Sequence, residues 1–551
     1  MQAGSKCHMP NVTLTAEDFN ALMAERDAVV MEREALRGEL KVVKVERDLF
    51  KEKLNAFLRK LFAAKSEARG SGQSELFNEA EALASASGSM AEEIPVESGI
   101  EIVGHTRQKR GRKPLDPALP REIVRHELPE SERVCPHDGK TLVEIGVETS
   151  EQLDIIPQQV RVILHQRVKY ACPCCNHGIK VTPVPARIIP KGLLTEAALA
   201  WIATSKYQDS LPLYRQAALL GRFGGDLSRN TLAGGMVKVG EAVQPIINLL
   251  RDHLLDSELV FGDETVIQVL KEPGRAAQTK SYLWAQMNGT VPPVRLFGYA
   301  PGRGGTHAEL LYAGIREGAV LMSDGYEVYN GIAHAHRLVH LGCWAHARRY
   351  FVEAEAVLPK SARGPDQLTT QFIAAISRLY AVEAKAKGKT VSERIQLRNA
   401  SSRPILVEIE HLLVTHRHRV TPGSLLGKAL HYLEAQWTKL TRYVDNGAWP
   451  IDNNLCENAI RPFVVGRRNW LFADTVAGAN ASANLYSLIE TCKANGVDPY
   501  RYLVALFKAL PLAKTADDYE QLLPWHLPRA IELHLIHPLT PISQSIGWRG
   551  L

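Results

Sequence analysis

The sequence predicts a multidomain α+β protein, with an N-terminal coiled coil, a zinc-ribbon-like domain, a helical region and an α/β core that contains a helical insertion. Three observations support this prediction. The chain has 551 residues, which is more than one hydrophobic core usually serves. Apolar residues recur in heptads near the N-terminus. Three strand-like segments, a helix-like segment and a fourth strand-like segment follow one another between residues 256 and 350.

The composition is typical of a folded protein in a reducing compartment. Apolar residues make up 45% of the chain and charged residues 23%, which excludes wholesale disorder. The net charge of +6 is modest for this length, so affinity for nucleic acid must come from local clusters of Lys and Arg. The sequence has no apolar run of about 18 residues and no secretory signal, so we expect a cytoplasmic protein without a membrane partner. Eight cysteines are too few for a disulfide scaffold.

Residues 14–65 predict a coiled coil that mediates self-association. Glutamates occupy g positions and basic residues e positions, which lets parallel helices pair charges across the seam. Arginines at three a positions favour a small oligomer, and we expect a dimer. The alternative is one long helix that packs on its own protein. Residues 66–104 are rich in Ser, Ala, Gly and Glu without a period and predict a linker. The apolar a and d positions are Phe19, Leu22, Val29, Leu36, Leu40, Val43, Phe50, Leu54, Phe57 and Leu61.

Residues 105–191 predict a basic hook followed by a zinc-binding domain. The hook, RQKRGRKP, is an extended basic strip that suits the narrow minor groove of A-T tracts in DNA. The alternative is that these side chains are only solvated surface charge. The basic residues of the strip are Arg107, Lys109, Arg110, Arg112 and Lys113.

Two short knuckles, CPHDG and CPCC, predict a zinc ribbon because strand-like sequence separates them. A structural zinc ion needs four nitrogen or sulfur ligands in a tetrahedron, and the second knuckle supplies a regular CxxC pair. The first knuckle is irregular, since an aspartate stands where a second cysteine belongs. The site is therefore either a zinc site with an unusual fourth ligand or a decayed one. The candidate ligands are Cys135, Asp138 or alternatively His137, Cys172 and Cys175, with Cys174 and His177 as substitutes.

Residues 192–255 predict a helical domain that resembles a helix-turn-helix. Two helical segments flank Gly224 and Gly225, and Ser228 is expected to cap the second helix. Arg229 and Asn230 at the start of that helix are polar residues of the kind that reach base edges from a recognition helix. The alternative is a helical hairpin that serves only packing.

Residues 256–350 predict the first part of the α/β core. The segment 259–270 is apolar on both faces, typical of a buried central strand, yet it carries Asp263 in its middle. Two further strands, from about 280 to 301, form an antiparallel meander, and a helix then leads to a fourth strand that ends at Asp324. This is ribonuclease H-like order, in which the first strand lies beside the end of the fourth. The two aspartates could therefore share a metal ion.

A third carboxylate is expected from a later helix. Residues 351–440 predict a helical insertion, and residues 441–496 complete the core. In this second part DNNLCENAI begins a helix that contains Glu457, which we assign as the third ligand. Asp452 competes for this role, but as the expected N-cap it already has a structural one. Residues 497–551 predict a short C-terminal domain.

Three carboxylates around one point suit two Mg²⁺ or Mn²⁺ ions per active site. Two such ions, roughly 3.5 to 4 Å apart, clamp the attacking and leaving oxygens of an in-line phosphoryl displacement. Hard cations prefer carboxylate and water oxygens. The predicted chemistry is phosphoryl transfer that needs no covalent enzyme intermediate.

The motifs FGDET, MSDGY, GCWAHARRYF and DNNLCENAIRPFVVGRRNWLF resemble the DDE domain of bacterial insertion sequence 66 family transposases. The coiled coil, the two knuckles and the short terminal domain follow one another as in that family, so the resemblance covers almost the whole chain. It implies that Asp263, Asp324 and Glu457 form the catalytic triad and that the knuckles belong to a zinc-binding domain. Several DDE families have Lys or Arg seven residues after the glutamate, where this chain has Val464. The basic residues expected to contact the DNA strand instead are Arg461, Arg467 and Arg468.

The motif Cys343-x-x-His346 resembles the CxxH that follows the second aspartate in some other DDE transposases. A free Cys and His at a junction between a strand and a helix are usually packing partners. We therefore interpret both residues as structural.

The sequence thus predicts a transposase that binds the terminal inverted repeats of its element, nicks their 3′ ends and joins them to target DNA. Its partners would be double-stranded DNA, a second copy of the chain and accessory proteins of the same element. It would act in the bacterial cytoplasm, on the nucleoid when bound to DNA. Two alternatives stay open, namely a DNA-binding regulator that no longer cuts and a ribonuclease H-like nuclease that cuts without joining.

Overall fold

The computed structural model describes residues 15–62, residues 180–527 and, apart from short gaps between residues 130 and 158, residues 121–170. The described residues form two compact units. The smaller unit comprises residues 219–226 and the described part of 121–166, and the larger unit comprises all the others. In the smaller unit most of the described chain is irregular and exposed.

Most of the predicted hook and zinc ligands fall outside the described residues: Arg107, Lys109, Arg110, Arg112, Lys113, Cys135, Asp138, Cys172 and Cys175. His137 is described and lies exposed in a turn. Strands β1 (Lys169–Tyr170) and β2 (Lys180–Val181) pair antiparallel on either side of the CPCC segment. The predicted ligand set and the zinc ribbon that would contain it therefore stay predictions.

Helix α1 (Ala16–Phe62) is 47 residues long and presents its apolar stripe to solvent. Thr15 begins it, because the Thr15 hydroxyl accepts the Asp18 N–H at 3.3 Å. The a and d side chains from Phe19 to Phe57 are more than half exposed. Near the end of the helix, the Glu52 carboxylate accepts the Leu425 N–H at 2.9 Å. The helix therefore touches its own chain at this point, while most of the stripe has no cover within the described chain.

The predicted helical domain contains four helices. Ser228 caps the third of these helices, which starts at Arg229, as predicted, since its hydroxyl accepts the Thr231 N–H at 3.1 Å. Gly224 precedes that helix with φ of +81°, a conformation that costs glycine little. Arg229 and Asn230 are exposed. The helices are α2 (Glu196–Tyr207), α3 (Leu213–Arg222), α4 (Arg229–Ala242) and α5 (Gln244–Leu255).

The core of the larger unit is a mixed sheet in the order β5, β4, β3, β6, β7, with β8 paired to β3. Strands β3, β4 and β5 form an antiparallel meander, and β6 and β7 continue the sheet in parallel to β3. The predicted meander and the predicted fourth strand are thus observed, whereas β7 and β8 were not predicted. The strands are β3 (Leu259–Lys271), β4 (Lys280–Asn288), β5 (Arg295–Ala300), β6 (Val320–Ser323), β7 (Val339–Gly342) and β8 (Ala473–Thr475).

Along the chain, helices connect several strands of the sheet and follow its last strand, β8. The predicted insertion is helical throughout most of its length, and its residues Phe351 and Phe372 share an apolar core with Trp344 of the preceding segment. No helix in the described part of the chain is both long and apolar enough to cross a membrane. The helices are α6 (Gly305–Tyr312), α7 (Val328–Ala335), α8 (Trp344–Ala356), α9 (Leu368–Ala386), α10 (Val391–Leu397), α11 (Arg403–His416), α12 (Leu425–Thr441), α13 (Asn454–Trp470), α14 (Val476–Ala494), α15 (Pro499–Ala509) and α16 (Ala516–Glu520).

Close packing on β3 explains why its sequence is apolar on both faces. A Cβ atom at Gly262 would lie 2.1 Å from Tyr312 Oη and 2.8 Å from Tyr329 Cε1, so α6 and α7 approach the strand where it lacks a side chain. At the outer edge of the sheet, Ser487 and Thr491 of α14 accept the N–H groups of Phe297 and Arg295 at 2.8 and 3.0 Å. Helix α14 therefore covers the exposed hydrogen-bonding groups of β5.

Candidate active site

The parallel pairing of β3 with β6 brings the two predicted aspartates side by side. Phe261 pairs with Met322, so Asp263 and Asp324 lie two residues further along neighbouring parallel strands, on the same face. Asp324 follows the last residue of β6, and its Oδ1 accepts the Tyr326 N–H at 2.9 Å. Asp263 Oδ1 accepts the Glu264 N–H at 2.8 Å. The strand register thus joins two acids that are far apart in the sequence.

Glu457 reaches the same place from the first turn of α13. Asn453, not Asp452, is the N-cap residue of this helix, so the predicted cap was wrong by one position. The Asn453 side-chain amide donates to Gly262 O at 3.0 Å, which fastens the start of α13 beside Asp263. Asp452 is structural, as expected, because it accepts the Tyr380 hydroxyl at 2.9 Å and the Asn454 N–H at 3.1 Å.

Burial raises the pKa values of all three carboxyl groups. Burial raises the pKa of Asp263 well above its usual value, and the charges of Asp324 and Glu457 raise it further. Burial raises the pKa of Glu457 to about 7, although Arg349 opposes the shift. Burial also raises the pKa of Asp324, against the Tyr326 N–H and nearby cations. The site therefore concentrates negative charge that the described side chains compensate only in part, and a divalent cation would relieve this repulsion.

Cys343 and His346 lie against Glu457, and ligand atoms of the three residues are all within 4.8 Å of one another. His346 Nδ1 is 3.4 Å from Glu457 Oε1, yet neither atom makes a hydrogen bond. Burial lowers the pKa of His346 to about 3, so the imidazole is neutral near pH 7. Cys343 is partly structural, since its Sγ accepts the Asn453 N–H at 3.2 Å. The unsatisfied Glu457 oxygen fits a metal ligand, and the neutral imidazole beside it is a further donor.

Several residues of the site were missed by sequence reasoning. Glu264 is 1% exposed in its side chain and forms an ion pair with Arg303 at 2.5 Å. The Tyr329 hydroxyl donates to Glu264 at 2.6 Å, and Arg349 lies 3.4 Å from Glu457. The signal for Glu264 was available, because it is a second acid inside the buried strand. Arg303 lies in a glycine-rich loop and Arg349 in α8, and no local pattern relates either of them to the triad.

The predicted DNA contacts within the described residues lie on two helices, α4 with Arg229 and Asn230, and α13. Arg461, Arg467 and Arg468 are on α13, and Arg468 is exposed. Arg467 Nη1 donates to the Val266 carbonyl and to Thr265 Oγ1, so this guanidinium fastens α13 to β3. Burial and the charge of Arg468 lower the pKa of Arg467. Arg467 therefore has a structural contact that the sequence did not suggest.

Comparisons with known proteins cover most of the chain. The zinc-finger binding domain of transposase IS66 matches residues 132–176, and the domain described as transposase C of IS166 homeodomain matches residues 49–124. The IS66 C-terminal element matches residues 487–525. The transposase IS66 family itself matches residues 191–481, more than half of the chain.

The chain belongs to the IS66 family of transposases. It is therefore a DNA-handling protein of a class that uses divalent metal ions, and it carries the zinc-finger domain of the family.

Three relatives of this IS66 family member come from Sinorhizobium fredii. The uncharacterized protein y4qI is 34% identical over 79% of this chain and 83% of its own length. The uncharacterized protein y4jD is 32% identical over 74% and 81%, respectively. The uncharacterized protein y4hP is 30% identical over 87% and 88%. The similarity therefore extends over most of both chains in each case.

Magnesium is expected to stabilise this IS66 family member more at about pH 8 than at about pH 5.5. Burial raises the pKa of Glu457 to about 7, so the folded protein binds this proton more tightly than the unfolded chain does. The stabilisation that this proton gives the folded state is therefore lost as pH rises through 7. A bound cation would restore it, by about 2.7 kcal/mol at a hundred times the dissociation constant. The measurement is the melting temperature with Mg²⁺ or with KCl of equal ionic strength.

The matched variant for this experiment is Asp324→Asn, which removes one carboxylate ligand and should reduce the Mg²⁺ effect at the higher pH. An equal rise in melting temperature at both pH values, or in the variant and the wild type, would contradict the assignment of these acids to a metal site.

Proposed function

We propose that this protein is an active DDE transposase that binds the terminal inverted repeats of its element, cleaves the DNA strand there and transfers it to target DNA. The observation that carries the proposal is the convergence of Asp263, Asp324 and Glu457, each with a raised pKa, at one end of the sheet. Structural ion pairs normally lower carboxyl pKa values, whereas an uncompensated acidic cluster is typical of a metal-dependent active site.

The strand order supports a ribonuclease H-like core. The three antiparallel strands β3, β4 and β5 come first within this sheet, and β6 and β7 extend it beside β3 in parallel. This arrangement puts one acid in the central strand and the second at the end of its parallel neighbour. A helix after the insertion then supplies the third acid, so one site forms from three distant parts of the chain.

In this proposal Asp263, Asp324 and Glu457 hold two Mg²⁺ or Mn²⁺ ions. When bound, these ions supply Lewis-acid stabilisation of the attacking and leaving oxygens of the phosphodiester. Asn453 holds Glu457 at the site through its bond to Gly262 O. Arg349 places a positive charge 3.4 Å from Glu457 Oε2, which keeps that carboxylate oriented. The buried Glu264 fixes Arg303 beside the site, and Arg303 lowers the pKa of Asp324.

A strand-transfer assay tests this function. The full chain is incubated with labelled DNA that carries the ends of its element, with target DNA, and with Mg²⁺, Mn²⁺ or EDTA. We expect nicked ends and joined products that require the metal. Nicking without joining would indicate a nuclease. Binding without any cleavage, with accessory proteins of the element supplied, would indicate a regulator that no longer cuts.

DNA binding is proposed to involve further parts of the chain. The basic strip at residues 107–113 would lie in the minor groove, and exposed Arg229 and Asn230 at the start of α4 would read bases. Arg461, Arg467 and Arg468 would lie along the cleaved strand, although Arg467 also binds β3. Cys135, Cys172, Cys175 and either Asp138 or His137 are proposed zinc ligands. Metal analysis tests this proposal, since a protein without zinc would lack the site.

Helix α1 is proposed to pair two copies of the chain, one for each element end. A double substitution Leu40→Glu/Val43→Glu places charges on the a and d positions and should convert a dimer to a monomer in light-scattering measurements. Val42→Glu/Val45→Glu is the matched control, because these c and f valines lie outside the predicted seam. All four side chains are about half exposed in the single chain, between 48% and 59%. Equal effects of both double variants would contradict the coiled coil.

A further inference from the structure

A basic cavity lies beside the proposed active site. It has a volume of about 690 Å³ and is formed by α7, the following turn, β7 and α12. No Asp or Glu is among the residues that line it. Its basic residues are His334, Arg337, His340, Lys439 and Arg442.

Two cations of this cavity, Lys439 and Arg442, donate to neutral acceptors among the described residues. Lys439 Nζ donates to Asn330 Oδ1 at 2.7 Å and to Gln436 Oε1 at 2.6 Å. Arg442 Nη1 donates to the His340 carbonyl at 2.9 Å. Backbone and amide oxygens orient these groups without neutralising them. The cavity therefore has positive charges that are held in position by the fold.

The same charges repel one another. Burial and the charge of Arg442 lower the pKa of Lys439. Burial together with Lys439 and Arg442 lowers the pKa of His340 to about 3. Asp324 is the group that opposes the shift of Lys439. An anion in the cavity would relieve this repulsion, since it would favour the charged forms of the lysine and the histidine.

The cavity is connected to the second aspartate of the triad. His340 Nε2 lies 2.8 Å from Ser323 Oγ, and that hydroxyl donates to the Asp324 carbonyl at 3.0 Å. Lys439 in turn lowers the pKa of the Asp324 carboxyl group. The other arginine that lines the cavity, Arg337, has a φ of +53° and pairs with Glu317 at 2.7 Å, where both side chains are largely exposed. Such a surface pair can open for another anion at little cost.

We propose that this cavity binds a backbone phosphate of the DNA on which the protein acts, through Lys439 and Arg442. The proposal rests on the proposed function, because it takes DNA as the partner. A phosphodiester fits the observations, since it carries one negative charge and acceptor oxygens for several donors. The cavity would hold the DNA next to Asp324 and would not select its sequence.

The test measures the affinity of the full chain for duplex DNA at several salt concentrations, without divalent metal so that cleavage does not occur. Each phosphate contact contributes about 0.9 to the slope of log affinity against log salt concentration. The double variant Lys439→Gln/Arg442→Gln should bind every duplex more weakly and have a slope that is smaller by about one. Arg378→Gln/Arg417→Gln is the matched control, which removes two charges from exposed ion pairs of the insertion.

An unchanged slope in the Lys439/Arg442 variant, with a melting temperature like that of the wild type, overturns the proposal. So does an equal loss of slope in the control variant. A titration with inorganic phosphate distinguishes a DNA phosphate from free phosphate as the anion that the cavity binds. Stabilisation of the wild type by free phosphate, with no change in DNA slope between the proteins, would assign the cavity to a free anion instead. If the slopes of the wild type and the Lys439/Arg442 variant differ as expected, but the wild type never cleaves DNA when metal is added, only the proposed function is overturned.

Discussion

Asp263→Asn, Asp324→Asn and Glu457→Gln are each expected to slow DNA cleavage and joining by about a thousandfold or more, while the binding of element ends persists. Each substitution removes a carboxylate that we propose as a metal ligand and keeps the size of the side chain. Metal ions supply several kcal/mol of charge stabilisation in the transition state, and about 4 kcal/mol corresponds to a thousandfold in rate. The measurement is the rate of nicking and of strand transfer, with DNA binding measured in parallel.

Protein stability distinguishes this loss from misfolding. Because burial and neighbouring acids raise the pKa of Asp263, its charged form is unfavourable in the metal-free protein. Asp263→Asn should therefore melt at the same temperature as the wild type or higher at about pH 8. Asp474→Asn is the control, since this acid of β8 is exposed and pairs with Lys271 at the far end of β3. A variant of the triad that cleaves as fast as the control would remove that residue from the metal site.

Arg398→Ala is expected to lower the free energy of unfolding by about 3 kcal/mol or more. Arg398 is 2% exposed and lies in a π-helical turn between α10 and α11. Its guanidinium pairs with Glu383 at 2.7 Å and donates to the carbonyls of Tyr443, Asn446 and Trp449 at 2.7 to 3.0 Å. Removing it leaves a partly buried carboxylate and three carbonyl groups without their donor, and breaking a buried pair typically costs about 3–5 kcal/mol.

The loss of Arg398 should also weaken the metal site, because the three carbonyl groups that it binds belong to the segment that leads into α13. That segment sets the position of Glu457, so the variant should also bind Mg²⁺ more weakly. Urea denaturation measures the stability. Arg403→Ala is the matched control, since Arg403 pairs with Asp445 at 2.9 Å where both side chains are about half exposed, and should cost at most about 1 kcal/mol. Equal destabilisation by the two substitutions would show that Arg398 does not hold this segment.

Local patterns were sufficient to predict much of the fold. The β-branched run with one central acid marked β3, and the polar turns on either side of residues 280–301 marked the meander. Ser228 marked a helix start because a short hydroxyl side chain can accept a free N–H in the first turn. The strands β7 and β8 were missed, and β8 has only three residues, which are too few to show a period.

The sequence by itself determined the family, the order of the predicted elements and the three acids that we assign to catalysis. These depend on residue type and on spacing along the chain. Only the tertiary structure decided that Asn453 binds Gly262, that Glu264 holds Arg303, and that Lys439 and Arg442 form a cavity with the turn after α7. The physical reason is that charges and hydrogen bonds act through space over a few ångströms, and these groups are separated by about 40 to 200 residues in the chain.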